Sequence, residues 1–68
     1  MTEKEQNVTL SAMSIYGGGF AHKLSTAWSH ADEDSSAQLG RSFPELVEQY
    51  GPGSVFYAAA SHESQGVL

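Results

Sequence analysis

Backbone breakers cut this chain into short pieces, and that punctuation constrains its fold more than any other feature. Gly17-Gly18-Gly19, Pro44 and Gly51-Pro52-Gly53 each interrupt an apolar pattern. In a helix interior glycine costs about 1 kcal/mol and proline about 3 kcal/mol, so each site marks a bend between elements. After the first breaker, Phe20, Leu24, Ala27, Trp28 and Ala31 recur at intervals of three and four. This spacing predicts a helix with those residues on one face and His22, Lys23, Ser25, Thr26 and Ser29 mostly outside it. The helix is expected to end near His30 to Asp32, where residues 31–36, Ala-Asp-Glu-Asp-Ser-Ser, supply side-chain oxygens suited to starting a new helix.

Pro44 lacks a backbone donor and restricts Phe43, so one straight helix cannot run through the second half. The pattern instead predicts a short helix from Glu33 to Gly40, a bend, and another from Phe43 to Tyr50, with Ser42 and Glu45 forming a capping box. Gly51 and Pro52 stop that helix, and Gly51 to Ser54 form a turn. Beyond it, Ser54 caps a helix with Val55, Phe56, Ala59 and Ala60 inward, or Val55, Phe56 and Tyr57 form a strand; the three alanines favour the helix. At the other end, residues 1–6 read as a frayed tail. Asn7 to Tyr16 read as a short extended piece through Val8-Thr9-Leu10, or as two helical turns through Leu10, Met13 and Tyr16. Residues 63–68 are expected to fray unless another subunit holds Val67 and Leu68.

The expected architecture is therefore all-α, a small helical hairpin of two to three short helices spanning residues 16–51. Residues 1–15 are expected to be flexible or weakly structured, and residues 52–68 a short C-terminal helix or extended tail. The hairpin is expected to hide Phe20, Leu24, Trp28, Phe43 and Tyr50 together. A chain of 68 residues buries only a modest core. Without cysteine it has neither disulfides nor thiolate zinc sites to supplement that core, so a homo-oligomer is expected.

Eight carboxylates face only Lys4, Lys23 and Arg41, for a net charge of −5. Direct binding to a nucleic-acid backbone or an anionic membrane is disfavoured on Coulombic grounds, and a basic protein surface is the easier partner. No apolar run is long enough to span a bilayer, and the opening Met1 to Leu10 is polar and mixed in charge, unlike a signal peptide. A cytoplasmic setting is expected.

Chemistry-bearing patterns each have a plainer reading. A phosphate-binding loop needs wider glycine spacing and a lysine followed by Ser or Thr at the helix start; here Lys23 lies a turn into the helix and precedes Leu24. Gly17, Gly18 and Gly19 still form a candidate anion-binding turn, since their N–H groups lie at a positive helix end, but a bend that brings backbone close to a neighbour is favoured. His22 and His30 would stand about 12 Å apart along a helix axis, too far to share one ion. No serine sits in a nucleophile elbow. No catalytic residue, metal or cofactor is expected. Asp32, Glu33 and Asp34 complement a helix N-terminus, or alternatively form a docking patch for a basic partner. Trp28, Tyr16, Tyr50 and Tyr57 combine apolar area with a polar tip and suit either a core or an interface. The candidate partner-binding residues are thus Tyr16, Trp28, Asp32, Glu33 and Asp34.

Gly18, Gly19, Phe20, Leu24, Ala27, Trp28, Ala31, Asp32, Leu39, Phe43, Pro44 and Tyr50 together form a pattern, glycines-Phe…Ala-Trp…Ala-Asp…Phe-Pro-Glu-Leu…Tyr. Over Tyr16 to Gly51 the chain resembles a group of very short proteins encoded by bacteriophages and prophages. Those proteins often carry basic residues between the two halves, where this chain is acidic. The resemblance implies a viral accessory protein in the cytoplasm of an infected or lysogenic bacterium, and points to no active residue. The expected function is non-catalytic binding to a host-derived protein, inhibiting a defence or transcription component; the rivals are a minor virion or assembly component and a sponge for a small signalling nucleotide.

Overall fold

The computed structural model describes residues 1–66, with side chains through His62. Among these residues the chain is all-helical, with no strand: α1 (Glu3–Tyr16), α2 (Gly18–Ser29), α3 (Glu33–Ser42), α4 (Pro44–Tyr50) and α5 (Val55–Gly66). The all-α class holds, but five helices replace the expected two or three. Val67 and Leu68, expected to be held by another subunit or to fray, lie outside the described residues.

The largest correction is at the start. Residues 1–15, expected to be flexible or weakly structured, instead carry most of the 14-residue helix α1. Thr2 initiates it with a reciprocal capping box: its Oγ1 accepts from the Glu5 N–H at 3.1 Å, and Glu5 Oε1 accepts from the Thr2 N–H at 2.8 Å. Val8, Thr9, Leu10, Ala12 and Met13 are all buried, because α1 is the central element and packs against α2, α4 and α5. A helix covered from several sides has no single apolar stripe, which is why Val8-Thr9-Leu10 resembles strand alternation.

α2 turns back along α1 with Ala21, Ser25 and Trp28 inward. The buried face is rotated from the expected stripe: Trp28 and Tyr50 are buried, Leu24 and Phe43 half-buried, and Phe20 is 66 % exposed. Small residues are part of this face, since Ala12 of α1 and Ala21 of α2 are both buried. The buried hydroxyls on this side satisfy themselves locally. Thr9 Oγ1 donates to the Glu5 carbonyl and Ser25 Oγ to the His22 carbonyl, each at 2.7 Å, so neither burdens the core with an unpaired polar group.

α3 begins where expected, with Asp32 Oδ1 accepting from the Ser35 N–H at 2.7 Å. It runs two residues past the expected end at Gly40, through Ser42, so Ser42 does not cap the next helix. Phe43 ends α3 and precedes α4; its φ of −127° and ψ of 59° are the non-helical backbone that a following proline imposes. α4 stops at Tyr50 and Gly51 as predicted. Ser54 Oγ then accepts from the Tyr57 N–H at 3.1 Å to start α5. Phe56, Ala59 and Ala60 turn inward, whereas Val55, also expected inside, is 82 % exposed. Val8, Leu10, Ala12, Met13, Ala21, Trp28, Tyr50 and Ala60 form a core, against which Leu24, Leu39, Leu46, Val47, Phe56 and Tyr57 pack.

The two carboxylate caps make stability depend on pH. The Thr2 N–H, then the Thr2 hydroxyl, hold the Glu5 carboxyl below its ordinary value of 4.5; the Ser35 N–H and hydroxyl hold Asp32 below 3.8. A lowered folded-state pKa contributes stability that is fully present above the ordinary value and is lost as pH falls through the folded one. The urea midpoint is therefore expected to hold from pH 7 to about pH 5 and to fall below about pH 4. Asp32→Asn keeps an N-cap acceptor but cannot titrate, so it should flatten part of that fall; circular dichroism at pH 7, 5 and 3 checks this.

Candidate functional site

Two features of the surface stand out, one at each end of α1. At its C-terminal end, Gly17 closes α1 and opens α2, donating its N–H to the Met13 carbonyl at 3.0 Å. A Cβ on Gly17 would collide with that carbonyl and with the Ala21 Cβ, and Gly18 has a φ of 78°, in the left-handed region. The glycine run is thus a tight corner between packed helices. The α2 N-terminus carries no side-chain cap, and Gly18 and Gly19 face open space. Its amides are available to a small anion.

Around this corner large apolar side chains stay outside. Ile15 is 52 % exposed, Phe20 more so, and Tyr16 is exposed at the rim. The Phe20 ring rests on Phe43 at 6.0 Å between centroids, while Tyr16 packs on Phe56 and Phe56 on Tyr50, each at 5.3 Å. Phe20 and Tyr16 are thus exposed rings braced by the less exposed Phe43 and Phe56. Ile15 and Phe20 were not among the expected partner residues. The spacing of apolar residues in α2 places Phe20 on the core face, and no signal local to residue 20 distinguishes the two faces.

At the N-terminal end of α1, a groove of about 760 Å³ runs between the first turns of α1, the end of α2 and α3; Glu3, Gln6, Asn7, Trp28, Glu33 and Gly40 are among its lining residues. Trp28, a candidate for either core or interface, is only 2 % exposed and belongs to the core. Its indole Nε1 is buried with no hydrogen-bond partner among the described residues. Asp32, Glu33 and Asp34 are all exposed on the first turn of α3. Asp32 is committed to its cap, and Glu33 faces the groove. Sequence reasoning missed Glu3 and Gln6 because residues 1–6 read as a tail, and Asn7 because it opens a segment read as extended or two-turn. The signal that could have found them is Thr2-x-x-Glu5, a capping box ahead of Val8.

The histidines serve local structure. His22 Nδ1 lies 2.9 Å from Ser14 Oγ, tying α2 to α1, and His30 is the C-cap of α2. Among the described residues, no group of three His, Asp or Glu side chains could hold a metal ion. Likewise no described helix is long and apolar enough to cross a membrane. No family model, curated protein or solved structure matches this chain.

Proposed function

We propose that this is a small non-catalytic accessory protein that acts by binding another protein through the apolar corner between α1 and α2. The observation that carries the reading is the exposure of Ile15, Tyr16 and Phe20 within one turn-linked stretch of a chain this small. Exposed aromatic side chains pre-ordered by neighbouring rings suit a docking surface, because little side-chain entropy remains to be lost. The resemblance to short phage-encoded proteins supports a host-derived partner, such as a defence or transcription component that the protein inhibits. The negative net charge supports a partner with a basic surface.

Affinity capture from a bacterial lysate tests this, comparing the natural chain with Phe20→Gln. Phe20 is mostly outside the core, so the variant should fold. Loss of a central aromatic contact is expected to weaken capture of a specific host protein about tenfold. Equal retention by both chains, or no protein held near stoichiometry by either, would overturn the proposal. A symmetric oligomer that Phe20→Gln dissolves would instead favour the assembly-component rival.

A further inference from the structure

The groove at the start of α1 joins two observations that the apolar corner does not use. The first is the Trp28 Nε1–H, removed from water and lacking an acceptor among the described residues. Such a group is costly in a small domain with little stability to spare. Trp28 Cζ2, the ring carbon next to the Nε1-bearing edge, lies 3.8 Å from where a Cβ on Gly40 would sit, and both residues line the groove. The indole therefore lies beside Gly40 on the α3 side of the groove. α3 itself carries no buried residue and packs chiefly on its sequence neighbours α2 and α4, so it can yield at low cost to an entering ligand.

The second observation is charge. Glu3 stands on the α1 side and Glu33 on the α3 side, and apart from the amino terminus at Met1 no lining residue brings a cation. Gln6 and Asn7 add side-chain amides, which offer both donors and acceptors to a peptide backbone. The volume falls in the range that holds a ligand of a few residues.

We propose that this groove binds a basic peptide segment of a protein partner. Its arginine or lysine side chains pair with Glu3 and Glu33, and a neighbouring backbone carbonyl accepts from the Trp28 Nε1–H after a small outward shift of α3. The groove and the apolar corner lie at opposite ends of α1, roughly 20 Å apart by helix rise. The inference thus goes beyond the corner reading and does not depend on it.

Trp28 is the only tryptophan, so its indole N–H gives one assignable resonance. The 15N-labelled protein is titrated with acetyl-Gly-Arg-Gly-Arg-Gly-amide and, separately, with the same peptide carrying glutamate in place of arginine. The arginine peptide is expected to produce a saturable downfield shift of the indole proton, and the glutamate peptide none. Glu3→Gln and Glu33→Gln, both on exposed positions, should each weaken binding about two- to fivefold, the factor of one exposed ion pair. Phe20→Gln should leave the titration unchanged, so failure here and failure of the corner reading are separable. No saturable shift, equal response to both peptides, or indifference to both glutamine variants would overturn the proposal.

Discussion

Trp28→Ala is expected to lose about 3–5 kcal/mol of folding free energy, the range for emptying a large aromatic site in a packed core. At the usual 0.05–0.15 kcal/mol per residue, a chain of this length holds about 3–10 kcal/mol in total. The variant should therefore be largely unfolded or close to it at 25 °C, read as lost helical circular dichroism and a urea midpoint near zero. Trp28 is among the largest fully buried side chains and bears on both α1 and α3, so no single helix can collapse into the space. Trp28→Phe is the informative partner experiment. It keeps most of the ring and deletes the unpaired N–H, whose burial costs about 1–3 kcal/mol, so its loss should be far smaller than that of alanine. A phenylalanine variant as stable as the natural chain would mean that the indole N–H is retained for something other than folding.

Gly17→Ala is the second large effect, expected at about 2–3 kcal/mol, the upper part of the overpacking range. The added methyl would meet the Met13 carbonyl and the Ala21 Cβ. Neither neighbour can retreat, because Met13 is fully buried and Ala21 nearly so. The two adjacent glycines provide controls with different physics. Gly18→Ala has open space but a φ of 78°, so its cost is conformational, about 1–2 kcal/mol. Gly19→Ala has open space inside a helix and should stabilise by about 0.5–1 kcal/mol. Urea midpoints in the order Gly19→Ala, natural chain, Gly18→Ala, Gly17→Ala would identify the run as a structural corner. Three equivalent losses would contradict it.

The same three glycines show how much of this molecule is legible before folding. That they bend the chain follows from the backbone alone; that Gly17 is the residue which cannot bear a side chain depends on where Met13 and Ala21 come to rest. The candidate site divides in the same way. Asp32 as an N-cap and Glu33 on a first helical turn are readable from the run Ala31 to Ser36. That Glu33 and Glu3 line one groove with Trp28 is not readable, because the groove brings together residues thirty positions apart.

What these residues determined unaided is the punctuation: α2 ending just before the expected His30 to Asp32, α3 starting after Asp32, α4 stopping before Gly51 and α5 starting after Ser54. Caps, glycine and proline act through sterics and hydrogen bonds within about four positions of the chain, so they need no tertiary context. The tertiary structure alone decided that α1 is the hub, that Phe20 and Val55 stay outside while Trp28 goes in, and that α3 closes one side of a groove. Burial depends on which surfaces meet. A helix covered on several sides carries no one-sided pattern, and α2 buries Ala21 and Ser25 beside Trp28, a face rotated from the one its own spacing suggested.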